Sequence, residues 1–200
     1  MRKHKVLLTI LLAWTVASLP AAPVFGLSEQ FQGNIYAVGA LKPIDSATTL
    51  KVGDKAPDFS LPSLSGEPVT LSRFTGRRNV VISFIPAAWT PVCSEQWPGY
   101  NIMKSLFDEN DAVLLGVTVD NLPTLFAWTE QMGGVWFPVL SDFWPHGQVS
   151  SKYGILRSNG TSERALFIID KQGIIRYIDV HDINERPDME TLARELGKLK

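Results

Sequence analysis

The sequence predicts an α/β domain with a mixed central sheet and helices over both faces. Two observations carry this. Short runs of consecutive apolar, largely β-branched residues (80–85, 112–119, 135–140) alternate with segments of helical spacing, the pattern of strands buried on both faces between their crossover helices. The chain then closes on two more apolar runs, joined by Lys171-Gln172-Gly173, and a final amphipathic segment, which reads as a hairpin followed by a helix.

Taken in order, the first residues are an address. Arg2, Lys3, His4 and Lys5 precede an uninterrupted apolar run from Val6 to Leu19, followed by Pro20, Ala21, Ala22, Pro23 and Gly26. This is the layout of a secretory signal peptide over residues 1–26. The rival reading is an uncleaved membrane anchor over residues 6–27, disfavoured because the strictly apolar core falls short of the roughly 20 residues a bilayer needs. Either way the protein is expected to be exported, to a periplasmic or other extracytoplasmic compartment. Residues 27–50 show no sustained period and read as a spacer, so the folded domain is placed at 51–200.

Ser60 to Pro62 and Pro68 to Leu71 flank the turn residues Ser65-Gly66-Glu67, a small N-terminal hairpin. Arg77, Arg78 and Asn79 lead into the central strand, Val80 to Ile85, which Pro86 stops. Ser94, Glu95 and Gln96 suit the first turn of a helix with Pro91 at its start. Pro98 and Gly99 fall in its second turn, so a kink or break is expected at Trp97 to Gly99, with helix resuming through Ile102, Met103, Leu106 and Phe107. Ala112 to Val119 is the next strand. Asp120-Asn121 caps a helix over Pro123 to Met132, which Gly133-Gly134 ends. Val135 to Leu140 is a third buried strand interrupted by Pro138. An aromatic loop (Ser141 to Gly147), a short helix (Gln148 to Tyr153), strands Ala165 to Ile169 and Ile174 to Val180, and a helix over Pro187 to Leu199 complete the chain.

Composition narrows the function. At 200 residues, 45% hydrophobic and 20% charged, the chain is an ordinary globular protein, and 19 basic against 20 acidic residues leave no basic field for nucleic acid. A single cysteine excludes an internal disulfide framework and any multi-cysteine metal site. His146 and His181 have no partner at metal-ligand spacing and read as loop histidines. No glycine loop cradles phosphate and no dinucleotide fingerprint is present, so no cofactor is called for.

The lone cysteine, Cys93, sits where the central strand hands over to a helix, near the positive end of a helix dipole, and that position favours the nucleophilic thiolate. The order Pro86-x-x-x-Thr90-x-x-Cys93 across a strand-to-helix junction resembles the active-site motif of the peroxiredoxins, the AhpC/TSA family. Gly53-Asp54-Lys55-Ala56-Pro57-Asp58-Phe59 resembles the opening of their domain. Ser141-Asp142-Phe143-Trp144-Pro145-His146-Gly147 with Tyr153-Gly154 is especially similar to the one-cysteine, alkyl hydroperoxide reductase E-like branch. Glu163-Arg164-Ala165-Leu166-Phe167-Ile168-Ile169-Asp170 resembles the strand whose leading arginine reaches the reactive cysteine, and Gly173-Ile174-Ile175-Arg176-Tyr177 the strand after it. The resemblance spans about Lys51 to Lys198. It departs from the family in lacking a resolving cysteine and in the Trp97-Pro98-Gly99 interruption.

The resemblance implies a thioredoxin-like fold, a homodimer, and reduction of hydrogen peroxide or organic hydroperoxides through a Cys93 sulfenic acid. It assigns Thr90 a hydroxyl over the sulfur, Arg164 a fixed cation beside it, and Pro86 a shield against water. A free thiol titrates near ~8.5, so such a site must favour the thiolate through the helix end, the cation and hydrogen bonds. With one cysteine, the sulfenic acid must be cleared by an external thiol, either a low-molecular-weight thiol or a thioredoxin-like protein. Taken singly, Cys93 could be a small core hydrophobe, Thr90 a helix cap, Arg164 a strand-end residue and Trp89, Phe143 and Trp144 packing residues; Glu95 and Gln96 are assigned to the helix start. Two other functions compete. An extracytoplasmic thiol–disulfide oxidoreductase is weakened because Gln96 stands where a second cysteine would be needed. A non-catalytic thioredoxin-fold module would bind its partner through the aromatic loop.

Overall fold

The structure, a computed structural model, describes residues 28–199; the leader read over residues 1–26 lies outside them. Five strands form the main sheet in the order β5 (Val139–Ser141), β4 (Ala112–Thr118), β3 (Asn79–Phe84), β6 (Arg164–Ile169), β7 (Ile175–His181). β3 runs parallel to β4, and β4 to β5, whereas β6 is antiparallel to both β3 and β7. This is the mixed sheet expected. Ahead of it, β1 (Ser60–Leu61) and β2 (Val69–Thr70) pair as a small antiparallel hairpin.

Every residue of β3 is buried, which is why the strand reads as an apolar run rather than an alternation. Val81 faces one core with Leu114, Leu166 and Ile168. There it meets Trp97 of α2 (Pro91–Asn101), Leu125 and Trp128 of α4 (Leu122–Gln131), and Leu192 and Leu196 of α6 (Met189–Gly197). Val80, Ile82 and Phe84 face the other core with Leu115, Val117, Phe167 and Tyr153, the last closing α5 (Gln148–Lys152). Among the described residues no helix is long and apolar enough to cross a membrane.

Three local expectations change. First, α2 runs unbroken through Pro98, and the interruption comes later, at Ile102 and Met103, before α3 (Lys104–Glu109). A proline inside a helix costs about 3 kcal/mol. Trp97 and Tyr100, both fully buried, offset it: rings of this kind bury roughly 150–250 Å² each, at about 25 cal/mol per Å². Trp97 packs at 5.0 Å from Trp128 and 5.6 Å from Phe137, and it lies over Gly116, where a Cβ would stand 2.7 Å from the indole.

Second, the strand expected from Val135 to Leu140 pairs only over Val139–Ser141. Pro138 has no N–H to give the ladder, and its carbonyl instead accepts from Gly116 N at 3.0 Å. Trp136 and Phe137 are packing rings beside it.

Third, residues 28–50, read as a spacer, are docked. Ser28 caps α1 (Glu29–Gly33), whose Phe31 is fully buried against Trp89 at 5.9 Å. The extended chain beyond is pinned by its backbone. Tyr36 N donates to Trp89 O (2.7 Å), and Asn184 bonds both the N–H and the carbonyl of Leu41 (2.8 Å each). Ile183 N donates to Pro43 O, and Asp45 N and Ser46 N donate to the buried Glu163. Thr48 Oγ1 reaches Tyr153 O at 2.7 Å.

Candidate active site

The site forms where β3 ends. After Ile85 and the buried Pro86, the loop is tied on one side by Ser162 Oγ to Ile85 O (2.7 Å) and on the other by Ala88 N to Asp120 Oδ2 (2.8 Å). Asp120 is itself held by the Thr118 hydroxyl, so this carboxylate organises the loop while Asn121 caps α4. Trp89 then adopts φ 62°, a left-handed conformation that is costly for a bulky side chain and recurs at functional turns. It redirects the chain into α2, with Thr90 as N-cap and Pro91 at N1.

Cys93 lies in the first turn of α2 and is 0% exposed. Arg164, the first residue of β6, is 1% exposed, and its Nη2 stands 3.5 Å from the Cys93 sulfur. The same guanidinium donates twice to the Ile183 carbonyl (3.2 Å from Nε, 3.0 Å from Nη2) and, from Nη1, to Gln96 Oε1. Gln96 in turn donates to Tyr100 Oη (2.9 Å) and Ser83 Oγ (3.2 Å). Burial pushes the Tyr100 phenol above its ordinary value, so it stays a neutral hydroxyl that fixes the far end of the Gln96 amide.

No carboxylate pairs with Arg164 among the described residues; its acceptors are a carbonyl, a side-chain amide and the sulfur. A buried cation calls for a compensating anion. Ionised, Cys93 would supply one.

Pro86, Thr90 and Arg164 line one cavity, whereas Cys93 does not line it and meets the group only through its 3.5 Å contact with Arg164. One expectation fails in detail: the Thr90 hydroxyl is not bonded to the sulfur but donates to Ala87 O at 2.9 Å. With its proton committed there, the oxygen is left free to accept a hydrogen bond from the cavity side. Trp89 packs on Phe31, whereas Phe143 and Trp144 are exposed. His146 bonds Gly160 O, and His181 lies 3.3 Å from Asp179.

Two features escaped the sequence reading. Gln96, assigned there to the helix start, is buried and orients the arginine; its spacing of three from Cys93, one helical turn on the same face, was the available signal. The Ile183 carbonyl, which holds the guanidinium in place, left no signal at all, since any residue carries one.

The sequence profile described as the AhpC/TSA family matches residues 52–178. Alkyl hydroperoxide reductase E of Mycobacterium tuberculosis (strain ATCC 25618 / H37Rv) is 36% identical over 151 residues, covering 75% of this chain and 98% of that protein. The chloroplastic 2-cysteine peroxiredoxin of Chattonella marina var. antiqua is 32% identical over 161 residues, 76% of this chain and 82% of its own. The reduced 2-Cys peroxiredoxin of Plasmodium vivax superposes with a TM-score of 0.69 at 26% identity, covering 74% of this chain and 81% of that one. A cysteine under a buried arginine at the head of a helix, on a thioredoxin-like sheet, thus comes with the matching sequence profile: the chain belongs to the AhpC/TSA family and is a peroxiredoxin, a thiol-dependent peroxidase.

Proposed function

We propose that the protein reduces hydroperoxides by a one-cysteine cycle centred on Cys93. The observation that carries this reading is a buried guanidinium 3.5 Å from the only cysteine, with no carboxylate in direct ion-pair contact with it among the described residues. The Cys93 thiolate attacks the terminal oxygen of R–O–O–H. The sulfur–oxygen bond forms as the O–O bond breaks; sulfur loses two electrons, and the leaving alkoxide takes a proton to depart as alcohol, or as water when R is hydrogen. Arg164 donors face the charge as it moves from sulfur onto the leaving oxygen, stabilising the transition state beyond the ground state. The Thr90 oxygen accepts the peroxide O–H and so orients it, while Pro86 keeps bulk water off the sulfenic acid.

With no second cysteine in the chain, an external thiol attacks the sulfenic sulfur and expels water. A second thiol then clears the mixed disulfide and restores Cys93. The basic and apolar leader, residues 2–19, supports placing this activity outside the cytoplasm, and the exposed Phe143 and Trp144 supply apolar surface for a homodimer.

The test mixes reduced protein with hydrogen peroxide, follows tryptophan fluorescence, and traps the product with a sulfenic-acid reagent. A rapid stoichiometric change with sulfenate at Cys93 is expected. Oxidation no faster than that of free cysteine would reject the proposal.

A further inference from the structure

Residues 37–41 bring to the site a wall that the family profile does not include, since the profile begins only at residue 52. They close one side of a cavity of about 480 Å³ whose other side carries Pro86, Thr90 and Arg164. Small-molecule sites run from about 300 to 1,000 Å³. Hydrogen peroxide, two oxygens long, needs a small fraction of that, since a water molecule takes roughly 30 Å³ in the liquid. Space around the reacting group is therefore left over.

The chemistry of that space is one-sided. Val38 and Leu41 from the strap face Val92 and Ile183, and Arg164 at the catalytic end is the only charged side chain lining the cavity. An anionic tail finds no second cation there. An uncharged hydrocarbon tail finds apolar walls, and each methylene it buries is worth about fourfold in binding.

The wall is also built rather than draped. Tyr36 N is bonded to Trp89 O, immediately before Thr90, and Leu41 is clipped at both its N–H and its carbonyl by Asn184. Ile183 N donates to Pro43 O while the Ile183 carbonyl receives both Arg164 bonds. The strap is therefore registered against the same two backbone points that set Thr90 and Arg164.

We infer that residues 37–41 form a binding wall for the uncharged, apolar substituent of an organic hydroperoxide, with its O–O group directed to Arg164 and the Cys93 sulfur beside it. This rests on the peroxidase cycle proposed above. The test uses the full chain and compares second-order rate constants of Cys93 oxidation by cumene hydroperoxide and by hydrogen peroxide. The wild-type protein is expected to favour cumene hydroperoxide. Leu41→Asp, which sets a charge in the wall, should lower the ratio of the two constants tenfold or more. Asn184→Ala, which removes both clips on Leu41 together with one polar group of the cavity lining, should shift the ratio the same way, with thermal unfolding confirming that both variants fold. A ratio unchanged within about twofold in both variants overturns the inference, as does a wild-type protein that reacts rapidly with hydrogen peroxide but shows no preference. If neither peroxide oxidises Cys93 faster than free cysteine, the peroxidase cycle itself fails, and the wall with it.

Discussion

Replacing Arg164 with methionine isolates the cation on which the proposed chemistry depends. The side chain keeps its length and apolar stem but loses the charge 3.5 Å from sulfur. At that separation and an effective dielectric of about 20, a thiolate gains about 5 kcal/mol from the guanidinium. Desolvation of the buried sulfur is present with or without the guanidinium, so this attraction is an upper bound on what the substitution removes. At 1.36 kcal/mol per decade that bound is more than about 10³-fold, and Arg164→Met should slow peroxide attack at neutral pH by at least about 10²-fold. The assay is stopped-flow oxidation of Cys93 by hydrogen peroxide, with thiolate followed independently by its ultraviolet absorbance. Methionine also leaves the Ile183 carbonyl and Gln96 Oε1 short of a donor, each costing about 1–3 kcal/mol, so a lower Tm is expected and rates are compared well below it. Arg164→Lys separates charge from geometry: it keeps the cation but cannot hold Ile183, Gln96 and the sulfur at once, and should fall between the two. A methionine variant within threefold of the wild-type rate would falsify the assignment of Arg164.

Gln96→Leu removes the acceptor for Arg164 Nη1 and the donors to Tyr100 and Ser83, so peroxide attack should slow tenfold or more. Gln96→Glu keeps the acceptor but sets a carboxylate against the guanidinium in competition with the sulfur, so it should be slow as well; a Gln96→Leu rate within about twofold of the wild type would show that Gln96 does not position the arginine. Gly116→Ala drives a Cβ to within 2.7 Å of the Trp97 ring and 2.9 Å of Phe137, and overpacking of this kind costs about 1–3 kcal/mol. A drop in Tm of about 3–10 °C is expected by calorimetry, and an unchanged Tm would mean that the ring stack yields freely. The last prediction concerns acid. Hydrogen bonds from Lys42 and Ser158 hold the Asp45 carboxyl far below its ordinary value, and those from Asn184 hold Asp182 down as well. Both groups are lowered in the folded chain, so their contribution is present above the ordinary carboxylate value of 3.8 and is lost as pH falls below it. Amide protection over residues 36–46, read by hydrogen exchange, should weaken between about pH 5 and pH 2; protection that stays flat across that range refutes the link.

What the sequence disclosed about the fold follows the range of the forces involved. β3 and β4 are legible because runs of six or seven mostly apolar residues have few stable fates other than a strand covered on both faces. The uninterrupted α2 is not legible, because the penalty at Pro98 is local whereas the burial that outweighs it comes from Trp128 and Phe137, thirty or more residues away. The docked strap is harder still. Its anchors are backbone groups bonded to Asn184 and Glu163, at separations of 143 and 118 residues, and a backbone N–H has no signature in the sequence. An extended segment held this way shows neither a helical nor an alternating period, which is why residues 27–50 read as a spacer.

The site divides along the same line. Pro86, Thr90 and Cys93 lie within eight residues, where a strand end, a helix cap and a first-turn thiol must be neighbours by covalent geometry alone. Arg164 stands 71 residues beyond Cys93, and only the family resemblance brought it to the sulfur. Once it is there, the physics runs opposite to the residue-by-residue reading, in which an arginine is a solvated strand end. At 1% exposure and with no carboxylate in direct contact among the described residues, the cation rests on a carbonyl, a side-chain amide and the sulfur, and an anion beside it would be favoured. Gln96 follows from the same requirement. A carboxylate there would compete with the sulfur for the charge, whereas an amide orients the guanidinium while leaving its charge uncompensated. Position in the sequence thus reveals the candidate nucleophile, and the buried guanidinium 3.5 Å away reveals the group its sulfur meets.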